Sequence, residues 1–287
     1  MKFLKNKKGE MTTQQIVLLI ILIASFAVIL GFLFKLNFGA ESEKDICHNS
    51  VVLRGKAFLG GGAVPLDCEK SYVCISKDKK CEKMVNPNLV RVETKEDVYL
   101  ALANELADCW WMFGEGKVNY VGKDTFPELY CSICSQVAFD DSVKQIFSAN
   151  DFDKREFYKY LTLKKLTSQD KTYAEYLFGT NNLDDIYNGS FGQVSLDKQH
   201  YILIGTTSEV TTIGWIGIGA VTVVGGALTA GGGWIAGGVA AIIGGTAGNF
   251  IAPLIEGLSG QRFIPPSLID INDDFDDLEC KNIVTLS

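Results

Sequence analysis

The first chemistry this chain offers is sulfur. Its 287 residues hold eight cysteines: Cys47, Cys68, Cys74, Cys81, Cys109, Cys131, Cys134 and Cys280. An even number of thiols reads, in an oxidising compartment, as a disulfide framework, and all eight are candidates for it. Cys131-Ser132-Ile133-Cys134 has the spacing of a thiol–disulfide exchange site, which opens a helix so that the helix dipole favours the thiolate. Here the pair sits inside the alternating stretch Tyr130–Phe139, which predicts a strand. Positions three apart on a strand point to opposite faces. Two structural bridges to other segments are therefore expected, with an extracytoplasmic thiol oxidoreductase as the rival reading. Cys74 and Cys81 bracket a charged turn that begins at Lys77, and a bridge across that turn is expected. Zinc would want a second close pair of ligands, which Cys68, Cys74 and Cys81 do not supply, so no metal and no cofactor is expected.

Other reactive groups are sparse. His48 and His200 are the only imidazoles. No Gly-x-Ser-x-Gly elbow and no phosphate-binding Gly-Lys-Ser/Thr loop is present. Asp108 and Glu115 bracket Trp110-Trp111 and read as solvated helix-end carboxylates rather than an acid pair. No catalytic residue is assigned, and a non-enzymatic protein is expected. The formal charge of −7 leaves no basic field for nucleic acid.

Which compartment the cysteines see depends on Ile16–Phe34, about nineteen apolar residues without a charge. At helical rise this run is about 29 Å long, roughly one bilayer core. Lys2, Lys5, Lys7 and Lys8 precede it, and Glu41, Glu43 and Asp45 follow Lys35. The positive-inside bias predicts a cytoplasmic N-terminus (1–15), a transmembrane anchor (16–36) and an extracytoplasmic main domain at the cell membrane. A cleaved secretory signal is the rival.

Lys7-Lys8-Gly9 followed by Glu10, Thr12, Gln14 and Leu18 resembles an archaeal type IV pilin-like (class III) signal. The likeness implies processing after Gly9 and a pilin-like subunit. The runs from Cys47-His48-Asn49-Ser50 to Lys56, and from Cys109-Trp110-Trp111-Met112 to Gly116, give the chain a resemblance to uncharacterised membrane proteins of small-genome archaea. That resemblance implies no activity.

Residues 37–209 predict a disulfide-rich α+β ectodomain. Ser50–Phe58 reads as a strand and Ser71–Ser76 as another. Thr94 with Asp97 three residues on makes an approximate capping box. It opens a helix with Val98, Leu102, Leu106 and Trp110 on its buried stripe, stopped by Gly114 and Gly116. Of the adjacent tryptophans, one is expected in the core and the other at a surface. Further helices are expected from Asp140, over Asp153–Leu161, and over Tyr173–Phe178 ended by Gly179. Gln193–Leu196 and His200–Ile204 predict a hairpin. Asn188-Gly189-Ser190 is a glycosylation sequon as well as a turn signal.

Between Glu209 and Glu256 there is no charge, a length of about two spans. Gly231-Gly232-Gly233 suits a reversal, so 210–255 predicts a helical membrane hairpin. Gly233, Gly237, Ala241 and Gly245 repeat every four residues and would form a smooth packing strip for a second copy or another membrane protein. One span, a conditionally inserted hairpin and a glycine loop in water are the alternatives. A hairpin would return 256–287, with Cys280, to the ectodomain. The whole predicts an α+β extracytoplasmic domain with membrane helices: one N-terminal span plus a glycine-rich helical hairpin. Its expected partner is the lipid bilayer, and its role is structural, in assembly or in membrane interaction.

Overall fold

A computed structural model describes residues 13–35, 38–60, 64–78, 80–121, 129–167, 169–182, 192–207, 240–243, 250–253, 255–256, 262–271 and 282–284. The chain divides into two compact units, Met1–Glu43 and Lys44–Ser287.

The first unit contains α1 (Thr13–Lys35), whose stretch Gln14–Gly31 is long and apolar enough to cross a membrane. Its described apolar side chains, Leu18, Ile21 and Val28 among them, are exposed. A helix of that composition fits a membrane anchor or a secretory signal.

α2 (Phe38–Gly60) replaces the strand expected over Ser50–Phe58. Val51-Val52 suggests a strand locally, but Cys47, Ser50 and Val51 are buried at helical spacing while Ile46 and Leu53 face out. Tertiary packing of that face overrides the β-branched preference. β1 (Ser71–Ser76) and β2 (Asn88–Arg91) follow. α3 (Lys95–Met112) begins as expected: Thr94 accepts from the Asp97 amide, and the Asp97 carboxylate accepts from the Thr94 amide at 2.9 Å. Gly114, at φ 78°, takes the left-handed conformation that ends it.

β3 (Leu129–Phe139) leads to a short 3-10 turn, Asp141–Val143, and α4 (Lys144–Phe147). Then come β4 (Asp151–Asp153), α5 (Lys154–Leu163), α6 (Tyr173–Phe178), β5 (Gln193–Ser195) and β6 (Gln199–Thr207). Asp153 and Thr172 cap α5 and α6 through their side chains. β5 pairs with β4, not with β6, so the hairpin expected from Gln193 does not form. The cause is β6 itself: both its edges are taken, by β3 on one side and by β10 on the other.

The last strands are β7 (Ala240–Ile243), β8 (Phe250–Pro253), β9 (Ile255–Glu256), β10 (Arg262–Asp270) and β11 (Asn282–Val284). The main sheet is mixed, in the order β2-β1-β3-β6-β10-β9, with β11 also on β3. β1 runs parallel to β2 and β3, and β3, β6 and β10 alternate in direction. β1 covers β3 over Ser135–Phe139, and β11 covers it over Tyr130–Ser132, so neither half of this long strand is left as an open edge.

Two register shifts have readable causes. In β10 the pairing skips Pro265-Pro266, which lack the amide a ladder needs. In β3 it skips Cys134, between Ile133↔Leu203 and Ser135↔Ile202. The core lies between the sheet and α3, α5 and α6. It is built on Leu102, Leu106, Trp110, Phe113, Phe139, Leu161, Leu177, Ile204 and Phe263. Tyr99 touches Phe147, Phe152, Phe157 and Tyr160, and Phe147 stacks on Phe152 at 5.0 Å.

Within the glycine-rich run, β7 and β8 pair antiparallel, Ala241 opposite Ala252. The helical strip is thus corrected at Ala241, which lies in a strand. Ala240-Ala241-Ile242-Ile243 ends in two β-branched residues followed by two glycines, poor helix material. The other strip positions, Gly233, Gly237 and Gly245, lie outside the described residues, as do Gly9, Asn188 and Cys280.

Candidate functional site

The dithiol spacing does not make a dithiol. Cys134 is bonded to Cys109 on α3, and Cys131, one strand turn away, is in a different disulfide. Both sulfurs are buried, and a buried cysteine in a bond lacks the exposed thiolate that exchange chemistry needs. The bulge in β3 falls on Cys134, the residue that crosses from the sheet to α3. Cys47 bonds Cys68, tying α2 to the loop before β1, and Cys74 bonds Cys81 across the turn, as the spacing suggested. The N-terminal apolar helix and these bonds are the features of a disulfide-stabilised protein that is membrane-anchored or secreted.

The two imidazoles are placed differently. His200 is 1% exposed. Its Nδ1 meets the Asp270 carboxylate at 2.6 Å and its Nε2 meets the Ser195 carbonyl at 2.7 Å, so neither nitrogen is offered to a substrate. His48 lies on α2, half-buried. It stacks on Trp111, with ring centroids 4.2 Å apart and planes 8° apart, and its Nδ1 donates to the Trp111 carbonyl at 2.7 Å. Trp110 is the core tryptophan, edge-on to Phe263. Trp111 is half-buried and packs against the same core, so only Trp110 is fully enclosed.

The carboxylates near the tryptophans each have their own cation or donor. Lys44 pairs with Asp108, and Lys117 with Glu115. Tyr176 donates to Glu115 at 2.7 Å. Burial works to raise the Glu115 carboxyl, but its bonds from Lys117 and Tyr176 outweigh it and hold the group below its ordinary value. Glu105 behaves oppositely. Burial pushes its carboxyl up, and the opposing charge of Lys44 only partly offsets that. Glu105 was not singled out from sequence, although its place three residues after Leu102 puts it beside the buried stripe. Asp108 and Glu115 therefore have separate partners. Among the described residues no group of three or more His, Cys, Asp or Glu side chains could hold a metal ion.

The geometry with a functional bearing is at the root of the glycine-rich run. β6 ends at Thr207 and β10 begins at Arg262, and these two residues are register partners. Thr207 also faces Leu129 on β3, and Arg262 faces Glu256 on β9. Residues 208–261, which contain the whole charge-free stretch together with β7, β8 and the short β9, thus connect two neighbouring strands of the sheet. The strands are held from behind by Phe263, which is fully buried against Trp110.

Comparison of the chain with protein-family models, with curated proteins and with solved structures finds no match.

Proposed function

We propose that this protein is a membrane-anchored surface protein. In this reading α1 holds a disulfide-stapled α+β domain outside the cell membrane, and the glycine-rich run engages lipid as an out-and-back arm of that domain. The role is structural: membrane interaction or assembly, without catalysis.

The pairing of Thr207 with Arg262 carries the reading. A segment that leaves and re-enters one sheet at adjacent strands has both ends on the same side of any bilayer it meets. A single span would separate β6 from β10 by a membrane thickness of about 30 Å, against about 5 Å between paired strands. The run's composition supports lipid as its partner. Its Ile, Val, Leu and Trp residues carry no compensating charge from Val210 to Ile255.

The test is photolabelling of the full chain in bilayers containing a phospholipid with a photoreactive acyl chain. Adducts within both 14–31 and 210–255 are expected. Adducts confined to 14–31 would leave the anchor and remove the arm.

A further inference from the structure

Three disulfides join six cysteines: Cys47–Cys68, Cys74–Cys81 and Cys109–Cys134. Cys131 is also in a disulfide, and each of those six already has its partner. The chain contains one further cysteine, Cys280. The topology brings that part of the chain to the right strand. β11 lies parallel to β3, with Ile283 the register partner of Cys131 and Asn282 that of Tyr130. Position 280 is three residues before Ile283, a reach of at most about 10 Å even when fully extended.

We propose that Cys280 is the partner of Cys131, and that this fourth bond fastens the C-terminal strand to the middle of the sheet. Formation is an ordinary exchange. The two thiols lose two protons and two electrons to the disulfide of an oxidised dithiol carrier, which leaves as the dithiol. The bond joins a residue before the glycine-rich run to one after it. With β6 and β10 paired at Thr207 and Arg262, the arm is then bounded by hydrogen bonds at its root and by a covalent link behind it. Work done on the arm by a membrane cannot draw β11 away from β3 without breaking this sulfur–sulfur bond. The pairing of the sulfurs does not depend on whether the arm meets lipid.

Tryptic mapping of the intact, non-reduced protein after alkylation tests this. Cleavage at lysine and arginine leaves Cys131 and Cys134 together in peptide 124–144, Cys109 in 96–117 and Cys280 in 263–281. One species containing all three peptides, collapsing to three on reduction, is expected. A two-peptide species of 96–117 and 124–144, with 263–281 alkylated or bonded to any other peptide, would overturn the proposal. In Cys131→Ser the expected result is one new alkylated thiol, on 263–281, with the 96–117 to 124–144 link kept. Failure of Cys280 to become alkylated in that variant would equally overturn it.

Discussion

His200 and Asp270 face each other across the β6–β10 ladder, with Nδ1 and Oδ1 2.6 Å apart. They close the end of the ladder opposite to the one where the glycine-rich run departs. The second ring nitrogen of His200 lies against the Ser195 carbonyl. Each ring nitrogen of His200 thus has an oxygen within hydrogen-bond distance. Lys198 approaches the other Asp270 carboxylate oxygen at 3.4 Å.

Burial works to raise the Asp270 carboxyl, but His200 and Lys198 outweigh it and hold the group below its ordinary value. A depressed carboxylate contributes stability above its unfolded value of about 3.9 and loses that contribution as pH falls through the folded value. Asp270→Asn should therefore cost about 1–3 kcal/mol at pH 7. The gap from the unsubstituted protein should narrow below about pH 4. Urea unfolding at the two pH values checks this, and a gap that stays constant would contradict it.

The cap of α3 should behave as a local device. Thr94→Ala removes the side-chain acceptor for the Asp97 amide and should cost about 1 kcal/mol. The Asp97 carboxyl is held low mainly by the Thr94 side chain, and further by the Glu93 and Thr94 amides. Its titration, followed by NMR, should move up towards the ordinary value in Thr94→Ala. An unmoved titration would mean that the box contributes nothing in solution.

Gly55 on α2 packs closely against the chain after α3. A β-carbon there would clash with Val118 Cγ1 and stand 3.1 Å from the Asn119 carbonyl oxygen. Alanine usually favours a helix over glycine, by about 1 kcal/mol. Here overpacking should reverse the sign, with Gly55→Ala destabilising by about 1–3 kcal/mol. Thermal unfolding decides, and a stabilised variant would show that α2 and residues 118–119 are not in contact.

Local signals in the sequence were good guides where one residue type dictates a backbone outcome. The Thr94–Asp97 box, the Asp153 start and the Gly179 stop all mark real helix ends. The short bridge Cys74–Cys81 was legible because so few residues separate its ends. What failed was non-local. α2 reads as a strand through Val51-Val52 until the burial of Cys47 and Val51 on one helical face is known. β5 looks like a partner for β6 because the two are adjacent in sequence, but β3 and β10 outcompete it. The bulge at Cys134 left no mark that a periodic pattern could register. The sequence suggests that 256–287 comes back to the domain, but not that β10 pairs with β6, since no spacing rule connects Thr207 to Arg262.

That return is also the claim most open to direct trial. Single cysteines placed at Ser208 and Ser259, on either side of the charge-free run, can be challenged with a membrane-impermeant maleimide on intact cells. Both positions are predicted to label from outside, to the same extent before and after permeabilisation. Labelling of one position from outside and of the other only after permeabilisation would contradict the account.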